Sequence, residues 1–89
     1  MKVEIYTIDG CTYCDQLKEL MDRANVSYTS YTVNRDITFP EFFDKFPTVS
    51  GYPQVVIDDQ HVGGLVETAK IFIEKGLVSS KKNGQKKTE

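Results

Sequence analysis

Two cysteines, Cys11 and Cys14, stand three positions apart in the stretch YTIDGCTYCDQLKELM, and an apolar pattern with helical spacing begins directly behind them. Sulfur at this spacing can serve as half of a metal clip, as a structural bridge or as a redox couple. A closed zinc site needs four ligands from Cys, His or carboxylate; the chain has these two cysteines, no second pair, and one histidine, His61. A structural bridge here closes so short a loop that it constrains the unfolded chain very little. The redox reading has a mechanism. A helix that starts near Thr12 points unpaired amides and the positive end of its dipole at Cys11. An ordinary thiol, with a pKa near ~8.5, is only slightly ionised at neutral pH. At helix starts in such motifs the value falls to roughly 3.5–7. Cys14, one turn into the helix, is better shielded and is expected to stay protonated. Cys11 is therefore the candidate nucleophile and Cys14 the candidate resolving thiol.

The surrounding pattern supplies the elements that would hold this pair. Lys2–Thr7 (KVEIYT) alternates, with Val3, Ile5 and Thr7 on one side and Lys2, Glu4 and Tyr6 on the other, which predicts a strand. Ile8-Asp9-Gly10 is turn chemistry. From Thr12 to about Ala24 the residues Tyr13, Leu17, Leu20, Met21 and Ala24 recur at helical steps, and Asn25 is a plausible stop. Val26–Val33 (VSYTSYTV) is β-branched and aromatic, a second strand. The resulting strand–helix–strand unit should be parallel and right-handed, and a Cys-x-x-Cys at its first junction is a redox signal. After an Asn34-Arg35-Asp36 loop, Thr38-Phe39-Pro40-Glu41 fits a capping box. Phe39, Phe42, Phe43 and Phe46 then give an apolar helix face that Pro47 ends. Gln54–Asp58, a tight turn at Asp58-Asp59-Gln60, and His61-Val62 predict an antiparallel hairpin. Gly63-Gly64 leads into a last helix through Leu65, Ala69, Phe72, Ile73 and Leu77 that stops at Gly76. The order β-α-β-α-β-β-α predicts an α/β domain with a four-stranded mixed sheet and helices on both faces.

The 89 residues suffice for one small domain. No window approaches a membrane span. The opening MKVEIYTIDG has charges inside its apolar run and does not read as an export signal. Two cysteines are too few for a disulfide scaffold, so a cytoplasmic setting is expected. The terminal SSKKNGQKKTE holds four lysines and Glu89. Without it, seven basic and twelve acidic residues remain, a net charge of about −5. An acidic body argues against nucleic-acid binding. Residues 1–78 are expected to form the domain, and 79–89 a disordered basic tail, a solvated terminus rather than an anchor for an acidic partner.

VEIYT with CTYC, followed by YPQVVIDDQHVGG, resembles the glutaredoxin family over Lys2 to about Val78. The Cys-x-Tyr-Cys centre, a proline opening the third strand, the Ile-Asp-Asp turn and the Gly-Gly pair carry the resemblance together. It implies a thioredoxin-like fold and a glutathione-dependent thiol–disulfide oxidoreductase. Its substrates would be protein disulfides and protein–glutathione mixed disulfides, and a monomer is expected. The resemblance also implies roles for single residues. Pro53 would be a cis-proline beside the active site, and the Tyr52 backbone would pair with the bound peptide. Tyr13 would flank the glutathione sulfur. Gly64, Leu65 and Val66 would receive the γ-glutamyl end through their backbone, where a helix start favours a carboxylate.

This chain departs from the family pattern in several places. Ile8 stands where many members carry a lysine that helps bind glutathione, so weaker binding is expected, with Arg35 as a compensating cation and Lys18 adding only some charge. Thr12 replaces the usual proline and restores a backbone donor beside the thiolate. Leu65-Val66-Glu67 lacks the early acidic residue, so its contact is absent or shifted to Glu67. Gly51-Tyr52 replaces Thr-Val.

Plainer readings stand beside these. Gly63-Gly64 can be only a turn, Tyr52 a packed aromatic, His61 a hairpin residue, and the four phenylalanines core, with Phe39 and Pro40 left to touch partners. Two rival functions remain open. One is a thioredoxin-like electron donor, for example to ribonucleotide reductase, reduced by a flavoenzyme. The other is a module holding a [2Fe–2S] cluster between two subunits through Cys11 and bound glutathione, which Thr12 leaves open; the oxidoreductase itself needs no metal.

Overall fold

The computed structural model describes residues 1–79. The segment read as a basic tail therefore lies, apart from Ser79, outside the described residues. The elements are β1 (Val3–Thr7), α1 (Thr12–Arg23), β2 (Thr29–Thr32), α2 (Phe39–Lys45), β3 (Gln54–Ile57), β4 (Gln60–Gly63) and α3 (Leu65–Glu74). This is the expected order. The sheet runs β2-β1-β3-β4, with β1 parallel to β2 and antiparallel to β3, and β3 antiparallel to β4.

Local chemistry sets the boundaries. Helix α1 ends in a Schellman motif: Val26 N–H donates to the Met21 carbonyl at 3.0 Å and Asn25 N–H to Asp22 at 3.1 Å, while Asn25 takes the left-handed conformation (φ 57). Gly76 (φ 74) closes α3 in the same way, with Leu77 N–H on the Phe72 carbonyl at 2.8 Å. Thr38 and Glu41 form the expected capping box on α2. Asp58 and Asp59, both at positive φ, make the two-residue hairpin turn. The second strand is shorter than the sequence suggests. Val26 and Tyr28 pack against the core as the chain returns from α1, and pairing with β1 begins only at Thr29.

Two cores flank the sheet. Leu17, Leu20 and Met21 of α1 and Phe72 of α3 pack on Val3, Ile5, Val55 and Ile57. On the other face, Phe42 and Phe46 of the α2 segment pack on Tyr6, Val33 and Val56. Tyr6 is thus buried although it lies opposite Val3 and Ile5. Burial, then the Glu4 carboxylate, pushes its phenol up to about 12. The four-phenylalanine face divides: Phe42 and Phe46, four residues apart, turn inward, whereas Phe39 and Phe43 stay substantially exposed.

The core contains one polar mismatch among the described residues. Thr68, on α3, is fully buried and its Oγ1 has no hydrogen-bond partner. A buried unsatisfied hydroxyl costs free energy that a methyl group does not. Thr68→Val should therefore raise unfolding stability by about 1 kcal/mol, measured by urea titration at fixed redox state. A loss of stability would show that the hydroxyl is satisfied in solution.

Strand directions gather the functional segments. The C-terminal ends of β1 and β2, the start of antiparallel β3 and the end of β4 all lie at one end of the sheet. These positions lead into Cys11, Arg35, Pro53 and Gly64 respectively.

Candidate active site

Cys11 is the N-cap of α1, with extended backbone (φ −102, ψ 109), and its sulfur accepts a hydrogen bond from Cys14 N–H at 3.1 Å. The free amide that the helix start was expected to offer is therefore aimed at this sulfur. In the reduced protein the same donor favours the thiolate over the thiol. The two cysteines stand at disulfide distance, with Cα atoms 5.2 Å apart, a separation a bridge between them requires. Cys14 is only 2 % exposed, while Cys11 is partly exposed. Of the two sulfurs, Cys11 is therefore the more open to solvent. Thr12 opens α1 as an exposed residue beside Cys11.

A groove of about 580 Å³ starts at Tyr13 and runs between the Thr48–Pro53 segment and the start of α3. The Tyr52–Pro53 peptide is cis and Pro53 is buried. Tyr52 lines the groove and packs on Phe42, with ring centroids 4.9 Å apart, so it is both a packed aromatic and a groove residue. Gly64, Leu65 and Val66 form the opposite wall. Gly64 approaches the cis-proline closely: a Cβ there would lie 3.1 Å from the Pro53 carbonyl oxygen. Tyr13 and Val66, 62 % and 61 % exposed, stand as apolar surfaces on the groove.

The electrostatics of this groove are spare. Among the described residues its lining includes no lysine or arginine, and the one acidic residue is Glu67. Glu67 Oε1 accepts from Gly64 N–H at 2.9 Å, occupying the first free amide of α3. That amide above all, then Glu67's own, holds the carboxyl below the usual carboxylate range. This lowering means the cap is complete at neutral pH and is lost as acidification protonates Glu67 in the folded protein. Gly63, at φ 124, leaves room for the Glu67 side chain, which a Cβ there would meet at 2.8 Å. Arg35 lies at the same end of the sheet but outside the groove lining. Its guanidinium pairs with Asp9 Oδ2 at 2.7 Å, two residues before Cys11, and both groups are exposed. Lys18 is partly buried, two turns along α1. Sequence reasoning left out Gln54 and the Thr48–Ser50 loop, and read His61 only as a hairpin residue; all line the groove. The signal for Gln54 was its place directly after Pro53.

A strand–helix–strand unit carrying a helix-capping cysteine pair at disulfide distance, at the same end of the sheet as a cis-proline, defines a class: the thioredoxin-like thiol–disulfide oxidoreductases. The glutaredoxin family model matches residues 3–62, and the chain belongs to the glutaredoxin family. Over 63 residues it is 41% identical to glutaredoxin 1 of Rickettsia prowazekii, covering 67% of this chain and 65% of that protein. It is 36% identical over 75 residues to glutaredoxin 3 of Escherichia coli K12, covering 84% of this chain and 90% of that one. The crystal structure of Francisella tularensis glutaredoxin 1, complexed with cacodylate, superposes with a TM-score of 0.68 at 30% identity, covering 85% of this chain and 95% of that chain.

Proposed function

We propose that this protein reduces protein disulfides and protein–glutathione mixed disulfides, with glutathione as the electron source. The observation that carries the reading is the groove beginning at Tyr13 and bounded by the cis-proline segment and the exposed start of α3. Its backbone amides suit an extended, carboxylate-bearing thiol peptide. In the first step the Cys11 thiolate attacks one sulfur of the substrate disulfide, forming a mixed disulfide and expelling the other sulfur as a thiolate. Cys14 gives up its proton and attacks the Cys11 sulfur, releasing the second substrate thiolate and closing the Cys11–Cys14 bridge. One glutathione thiolate opens that bridge at Cys11. A second removes the first as oxidised glutathione, so two glutathione molecules supply the two electrons. Tyr13, Tyr52, Pro53, Gly64, Leu65 and Val66 hold the substrate in this scheme, Thr12 frames the thiolate, and Arg35 adds positive charge near the Cys11 loop.

The absence of lysine and arginine from the lining among the described residues, and the occupied Gly64 amide, favour one alternative, reduction by a flavoenzyme in a thioredoxin-like donor that could serve ribonucleotide reductase. A cytoplasmic, monomeric protein is part of the main proposal. Among the described residues no three His, Cys, Asp or Glu side chains group to hold a metal ion. A [2Fe–2S] cluster on Cys11 would need ligands from outside this chain.

The test is disulfide reduction coupled to glutathione reductase, with glutathione varied. We expect saturable turnover with a high glutathione requirement. Turnover with thioredoxin reductase and NADPH, and none with glutathione, would replace this proposal with the alternative.

A further inference from the structure

We infer that His61 is a positioning residue that fixes the backbone just before Pro53, and with it the wall that receives the substrate. This rests on the groove being the glutathione and peptide site proposed above. The chain of contacts starts at a backbone carbonyl. Gln54 Nε2 donates to the Gly51 carbonyl oxygen at 2.8 Å. A carbonyl can only accept, so the amide of Gln54 has one orientation and its Oε1 faces away from Gly51. His61 Nε2 meets that Oε1 at 2.7 Å. Because Oε1 can only accept, His61 Nε2 carries the proton and donates. The relay His61–Gln54–Gly51 thus joins β4 to the loop that precedes the cis peptide bond.

A second, apolar path joins the same points. The His61 ring packs on Phe46 at 4.7 Å, Phe46 on Phe42 at 5.2 Å, and Phe42 on Tyr52 at 4.9 Å. His61 therefore reaches Gly51 through hydrogen bonds and Tyr52 through a row of packed, tilted rings. The loop is held from both sides at the peptide whose orientation decides whether Tyr52 can pair with an extended ligand. Tyr52, Gln54 and His61 all line the groove. None of these contacts touches Cys11 or Cys14, so the effect should fall on how the ligand is held more than on the thiol chemistry.

The test measures single-turnover oxidation of the pre-reduced protein by oxidised glutathione and by 2-hydroxyethyl disulfide, a small disulfide without a peptide backbone. His61→Phe keeps a ring on Phe46 and removes the donor. The ratio of the two rate constants, glutathione disulfide over the small disulfide, is expected to fall about fivefold, the factor for one ordinary hydrogen bond. Gln54→Leu should lower it equally, and the double variant should fall no further than either single one. A general structural loss would slow both disulfides alike, leave the ratio unchanged and overturn the inference. Independent, additive effects of the two substitutions would also overturn it. A wild-type protein with no preference for glutathione disulfide would remove the groove reading itself, and this inference with it.

Discussion

Cys11→Ser is expected to abolish disulfide reduction, a loss on the order of a thousandfold or more, as for removal of other enzymes' nucleophiles. The serine hydroxyl is not ionised at neutral pH, and an Ser–O–S–R adduct is not an intermediate that a second thiol exchanges readily. The helix-start amides that favour a thiolate cannot bridge that gap. The fold should survive. Serine is a preferred N-cap residue, and its Oγ can accept from Cys14 N–H as the Cys11 sulfur does at 3.1 Å. The lost bridge spans too few residues to have constrained the unfolded chain strongly. Thermal unfolding close to that of the reduced wild type, with activity absent, is the expected pair of results. Retained activity would remove Cys11 from the chemistry.

Cys14→Ser is expected to divide the activities. Cys14 is buried, and in the proposed scheme it meets the substrate only through Cys11. Without it, Cys11 still takes glutathione from a glutathionylated protein, and a free glutathione still removes it, so deglutathionylation should stay within a few-fold of wild type. Reduction of a protein disulfide should be lost, because the Cys11–substrate mixed disulfide then lacks its intramolecular resolving thiol. A thiol held one helical turn away competes with dissolved thiols at effective concentrations that solution cannot match. Cys14→Ala, which puts no hydroxyl in the buried site, should show the same division. Equal loss of both activities would mean that Cys14 does more than resolve.

The local signals in the sequence carried through to the structure. The Thr38/Glu41 capping box, the Asp58-Asp59 turn, the stops at Asn25 and Gly76 and the Cys11 N-cap all depend on a few neighbouring residues. They were legible for that reason. What the sequence hid depends on partners far along the chain. The start of β2 is set by where β1 offers a pairing partner, so Val26–Tyr28 look like strand and are not. Which phenylalanines of α2 turn inward is decided by Tyr6 and Val56 across the sheet. The Arg35–Asp9 pair and the His61–Gln54–Gly51 relay join positions that no short motif connects. The sequence leaves the acidic ligand contact either absent or shifted to Glu67, and the structure puts the Glu67 carboxylate on the Gly64 amide.

The most direct test of the account is the mass of the Cys14→Ser protein after equilibration with oxidised glutathione, with the adduct located by peptide mapping. One glutathione on Cys11, removed by an excess of reduced glutathione, is the expected result. Disulfide exchange that proceeds with no adduct on Cys11, or an adduct that glutathione cannot remove, would contradict it.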